Sequence, residues 1–142
     1  LRAHEETANK TNFVHFFADT VMTQARELLS IADLDAALER AQADVPTLFF
    51  KHSSTCDISA AAWEEFLDFL RDNSTPVQSY FLVVQNSRDV SQEIAQRLNI
   101  RHESPQAILL RKGAPVWHDS HRRLTTQAFR SVVAQYAAES PA

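Results

Sequence analysis

The chain has 142 residues, a formal net charge of −4, one cysteine and one glycine, a length that fits one domain burying about two-thirds of its unfolded surface without disulfide staples. Acids and bases are interspersed, with no basic stripe to neutralise phosphates, so nucleic acid is not an expected partner; no apolar run approaches the roughly 18 residues of a membrane span. The single glycine excludes the glycine-rich loops of P-loop and dinucleotide sites, and the single cysteine fits a reducing cytoplasm, or equally a secreted protein without bridges, the cytoplasm being the favoured reading.

Residues 1–27 read as an N-terminal extension, with a helix over about Phe13 to Arg26 as one reading and Met22, the only methionine, as a candidate natural start. The patch Phe13 to Phe17 is broken by His15 and closed by Asp19, unlike a signal-peptide core. The domain proper is expected over residues 28–142. Ser30 with Asp33 resembles a capping box, and Ile31, Leu34, Ala37 and Leu38 follow at helical spacing, which predicts a helix ending near Ala43. After Val45-Pro46, TLFFK has the length and composition of a strand, and the polar loop HSST leads to Cys56.

Ile58 to Arg71 is predicted helical, with Trp63, Phe66, Leu67 and Leu70 forming one buried stripe. SYFLVV, Ser79 to Val84, is apolar on both faces, as expected of a central strand covered by helices. A helix from about Asp89 to Leu98 turns Val90, Ile94 and Leu98 inward, and RHESPQ introduces the strand AILL. Lys112-Gly113 gives a tight turn into PVWH, with the glycine where positive φ is needed. A last helix runs from Thr125 to about Ala138 on Phe129, Val132, Val133 and Tyr136.

A helix followed by βαβ, helix and ββα is the plan of an α/β, thioredoxin-like fold with a central mixed sheet flanked by helices. In that plan Cys56 lies where the first strand hands over to a helix N-terminus, whose unpaired N–H groups and positive dipole end favour an anion. A thiolate there is a nucleophile for disulfide exchange; the competing reading is a small inert core residue.

Three segments in order, FKHSSTCDIS, RHESPQAILL and VWHDSH, resemble those of the monothiol bacilliredoxins, the YtxJ-like proteins of bacillithiol-using bacteria, over about residues 28 to 136. The resemblance implies a thioredoxin fold and removal of bacillithiol from mixed disulfides on other proteins, with bacillithiol as thiol co-substrate, no metal, and bacillithiolated proteins as partners. Where that family usually has Thr-Cys-Pro or Arg-Cys-Pro, this chain has Thr55-Cys56-Asp57. Asp57 suits the first helical turn, but its carboxylate opposes a neighbouring thiolate while the helix dipole and Lys51 oppose Asp57.

Cys56 is therefore the expected catalytic nucleophile, and Lys51, His52, Thr55, Asp57, Ser59, Ser104 and Pro105 are the expected thiol-binding or substrate-binding residues. Ser59 occupies the position of the resolving cysteine in a C-x-x-C enzyme, so a mixed disulfide on Cys56 needs a second thiol molecule for release. Lys51 and His52 could bring positive charge to the thiol or simply be solvated at a strand end. Pro105 resembles the cis-proline that faces the cysteine in thioredoxin folds and frees the backbone of Ser104 to pair with substrate; an ordinary trans-proline is the alternative. His118 and His121 lack an assured third ligand and read as surface residues, and Trp117 as core or groove wall.

Two functions remain open on the sequence: a monothiol thiol-disulfide oxidoreductase acting in the cytoplasm and in stress responses, or a redox-inactive thioredoxin-fold binding or stress-associated module, which Asp57 keeps in play. Iron–sulfur carriage is weaker, because the glycine and phenylalanine that follow the cysteine of monothiol glutaredoxins are absent.

Overall fold

The computed structural model describes residues 24–137. In chain order the elements are β1 (Ala25–Glu27), α1 (Ile31–Arg40), β2 (Thr47–His52), α2 (Asp57–Asp72), β3 (Gln78–Val83), α3 (Arg88–Leu98), β4 (Gln106–Arg111), β5 (Ala114–Ser120), a 3-10 turn (His121–Arg123) and α4 (Thr126–Ala137). The five strands form one sheet in the order β1-β3-β2-β4-β5. The first three run parallel and the last two antiparallel, giving the mixed sheet and thioredoxin-like plan expected from the sequence.

Residue alternation along β2 divides the core. Leu48 and Phe50 pack with Ala62, Phe66 and Leu70 of α2 and Phe129 and Val133 of α4 on one face. Phe49 packs with Leu34 and Ala37 of α1 and Val90 and Ile94 of α3 on the other. Because both faces are covered, every residue from Thr47 to Lys51 is buried, and the run carries no polar-apolar alternation. The α2 stripe forms as expected, with Phe66, Leu67 and Leu70 buried and Trp63 half-buried at its edge.

Local signals set the boundaries. Ser30 Oγ accepts from the Asp33 N–H at 3.1 Å, and Asp33 Oδ2 accepts from the Leu29 N–H at 2.9 Å, so the capping pair forms with the carboxylate reaching one residue beyond the cap. Lys112 and Gly113 have φ of 53° and 84°, both left-handed, as the tight turn between twisted strands requires.

One sequence expectation is corrected at the start of the sheet. Ala25 and Arg26, included in the helix reading over Phe13 to Arg26, are strand: β1 pairs with β3 through Ala25↔Ser79, Arg26↔Tyr80 and Glu27↔Phe81. The segment ARELL is rich in good helix formers, but pairing with the edge of β3 and burial of Ala25 and Leu28 override that propensity. The sheet thus begins ahead of the expected boundary at residue 28. The rest of the expected helix lies outside the described residues.

Candidate active site

Cys56 is the N-cap of α2, with extended backbone (φ −122°, ψ 129°), and its carbonyl accepts the first helical bond from Ala60 N–H at 3.0 Å. The thiol is half-buried and makes no capping bond, so it stands free at the positive end of a sixteen-residue helix. Asp57 follows at the first helical position, exposed and without a hydrogen-bond or ion-pair partner among the described residues.

The loop before the cysteine is held at two points. Buried Ser59, one turn into α2, accepts from the Ser53 N–H at 2.8 Å and is hydrogen-bonded to His52 Nδ1 at 3.1 Å. The His52 ring packs on Trp63, with centroids 5.0 Å apart. Burial holds the His52 imidazole below the ordinary histidine range, a hydrogen bond donated to the Ser59 backbone opposing that shift, so it is neutral at neutral pH and brings no positive charge to the thiol.

The second point is Gln85, just beyond β3. Its Oε1 accepts from the Ser54 N–H at 3.0 Å, and its Nε2 donates to Ser53 Oγ at 2.9 Å and Thr55 Oγ1 at 3.3 Å. One side chain thereby touches all three residues between β2 and the cysteine. The sequence reading missed it, because the contact spans 31 residues and an isolated glutamine after a strand carries no local signal.

Lys51 is corrected on both expectations. It is 1% exposed, not solvated, and points to the α1 and α3 face, away from α2. Its ammonium donates to the Ser91 carbonyl at 3.0 Å and to His102 Nδ1 at 3.1 Å. Burial lowers its pKa to about 8. Lys51 therefore forms no pair with Asp57, and its offsetting of the Asp57 charge, expected from sequence spacing, is not built into the site.

The Ser104–Pro105 peptide bond is cis. The register Lys51↔Gln106 sets Pro105 across from His52, at the sheet end where β2 runs into the cysteine loop. The Pro105 carbonyl accepts from the His121 N–H at 3.1 Å, while the buried Ser104 Oγ has no partner among the described residues. His121 Nδ1 lies 3.5 Å from Glu103, and His118 is exposed. Trp117 is half-buried against Phe129. Among the described residues, no group of three or more His, Cys, Asp and Glu could hold a metal ion, and no helix is long and apolar enough to cross a membrane.

A free thiol at a helix N-terminus, with a cis-proline across from the last residue of the strand that leads to it and serine one turn on, is equipped for one-thiol exchange. Comparison with known proteins agrees: the family described as "Monothiol bacilliredoxin BrxC" matches residues 26–129. The chain belongs to the monothiol bacilliredoxin family. A solved thioredoxin-fold protein described as a candidate oxidoreductase is 33% identical to this bacilliredoxin-family chain, with a TM-score of 0.69, covering 80% of this chain and 96% of that one. Thioredoxin O2 from Arabidopsis thaliana, in its oxidised state, is 20% identical with a TM-score of 0.63, over 80% of this chain and 95% of its own. Thioredoxin from Malassezia sympodialis is 16% identical with a TM-score of 0.62, over 80% and 91% of the two chains. The last two show the fold alone. Family and fold together make this bacilliredoxin a protein of the thiol oxidoreductase type.

Proposed function

We propose that the protein removes bacillithiol from mixed disulfides on other proteins by a monothiol route, with Cys56 as its only nucleophile. The Cys56 thiolate attacks the bacillithiol sulfur of the mixed disulfide. A Cys56–bacillithiol disulfide forms, the protein–bacillithiol disulfide breaks, and the target leaves as a thiolate that takes up a proton. A second bacillithiol thiolate then attacks the adduct, regenerating the Cys56 thiolate and releasing oxidised bacillithiol. The single observation that carries this reading is the free Cys56 thiol at the α2 N-terminus with serine at position 59, in a chain of this family.

In this reading the Ser104 backbone, ahead of the cis-proline, pairs with the extended target segment. Thr55 and Asp57 flank the incoming disulfide, and His52 and Ser59 fix the loop. Such chemistry belongs in a reducing cytoplasm, in cells recovering from oxidative stress. The test is a bacillithiolated substrate protein incubated with the reduced chain and excess bacillithiol, followed by intact mass. Release by wild type and not by Cys56→Ser is the expected result. Equal release by both, or by neither, would leave the redox-inactive binding module as the better reading.

A further inference from the structure

Beyond the thiol, the far face of β2 holds a buried cation that the exchange reaction does not use. The Lys51 ammonium has three protons, of which two go to the Ser91 carbonyl and His102 Nδ1. Among the described residues the third has no acceptor, and no carboxylate lies within ion-pair distance of the nitrogen. An ammonium taken out of water without a counter-charge is costly, so a structure that keeps one invites an anion.

Both partners of Lys51 open onto a cavity of about 410 Å³, lined also by Val84, Arg88, Gln92 and Gln96. That volume lies within the roughly 300–1,000 Å³ of small-molecule sites. Because His102 Nδ1 accepts from Lys51, its ring proton sits on Nε2 as a donor. Arg88 is exposed and has no carboxylate partner among the described residues, while the two glutamines add amide donors. Among the described residues no acid lines the cavity, and neighbouring Glu103 is engaged by Ser120 and His121. The cavity wall is tied through the backbone to the strand that leads to the thiol: the Val84 N–H donates to the His52 carbonyl at 2.8 Å, and the next residue, Gln85, holds Ser53 to Thr55.

We propose that this cavity binds a carboxylate of the low-molecular-weight thiol that exchanges with Cys56, with the Arg88 guanidinium and His102 Nε2–H in direct contact and Lys51 as the buried charge behind them. The assignment rests on the thiol-exchange reading and adds to it a carboxylate subsite outside the thiol loop.

The experiment measures adduct formation on reduced Cys56 from oxidised bacillithiol, oxidised glutathione and hydroxyethyl disulfide, the first two bearing carboxylates and the third neutral. Wild type is compared with Arg88→Gln and with Arg130→Gln, an arginine on α4 remote from the cavity. Arg88→Gln is expected to lower the ratio of charged-disulfide to neutral-disulfide rate constants roughly five- to tenfold at low salt, and Arg130→Gln to leave that ratio in place. A loss confined to one charged disulfide supports the site and names its thiol. An unchanged ratio, or an equal loss with all three disulfides, overturns the cavity assignment while wild-type reactivity keeps the exchange reading intact. A wild type inert to every disulfide overturns both.

Discussion

Lys51 and His52 are consecutive residues of one strand, yet they serve opposite faces of the sheet and different physical problems. His52, on the α2 side, is neutral, packs against Trp63 with the rings tilted and, through Ser59, fixes the loop that presents the thiol. Lys51, on the α3 side, stays largely charged at neutral pH, out of water, and is held by a carbonyl and an imidazole instead of a carboxylate. At the end of a strand covered on both faces, distance in sequence from a reactive residue says little about electrostatic influence on it. The pleat decides which site a side chain serves.

Removing the thiol should leave both the His52 and the Lys51 clusters in place. Cys56→Ser should lose at least a thousandfold in disulfide-exchange rate, while its thermal midpoint stays within about 2 °C of wild type, since the half-buried thiol makes no capping bond. A large loss of stability would make Cys56 a structural residue.

Lys51→Met tests the other side by a stability readout. The lysine pKa is lower folded than unfolded, so between about pH 8 and the ordinary lysine range near 10 the unfolded chain binds more protons and wild-type stability rises with pH. Below about pH 8 the full cost of the buried charge is present. The stability of Lys51→Met relative to wild type should therefore fall by about 3 kcal/mol as pH rises through that window. Denaturant unfolding at several pH values checks this, and a pH-independent difference would contradict the burial of an uncompensated cation.

Gln85→Ala should act on the thiol side, lowering the exchange rate about tenfold by freeing Ser53 to Thr55, with about 1 kcal/mol of stability lost. Gln85→Glu keeps an acceptor for the Ser54 N–H but loses the donors, and should fall between. Equal rates in all three proteins would show that the loop keeps its conformation without the clamp.

The smallest expected effect concerns Asp57. Its carboxylate has no partner among the described residues, and neither Lys51 nor His52 neutralises it, so its charge acts on a neighbouring thiolate across a mostly watery gap. Asp57→Asn should raise the alkylation rate of Cys56 by a neutral reagent about two- to threefold at neutral pH and low salt, with the gain shrinking in high salt. A salt-independent change would remove the charge argument.

Much of this molecule was legible in the sequence because its signals are local. Ser30 and Asp33 announced the α1 start, Lys112-Gly113 the hairpin, and the polar loop ahead of Cys56 the strand-to-helix handover. What escaped depends on partners distant in sequence. β1 is three residues of helix-favouring composition that become strand only against β3, and the facing of Lys51 is hidden because TLFFK is buried throughout. The Gln85 clamp exists only once β3 lies beside β2.

The central claim, that one thiol at the α2 N-terminus carries the exchange, is tested most directly by mapping where bacillithiol attaches. Reduced wild type is exposed to oxidised bacillithiol, the intact mass is read, and the adduct is located by peptide mapping before and after addition of free bacillithiol. The expected result is a single adduct on Cys56 that free bacillithiol removes completely. An unreactive Cys56 in the folded protein, or an adduct that excess thiol cannot release, would contradict it.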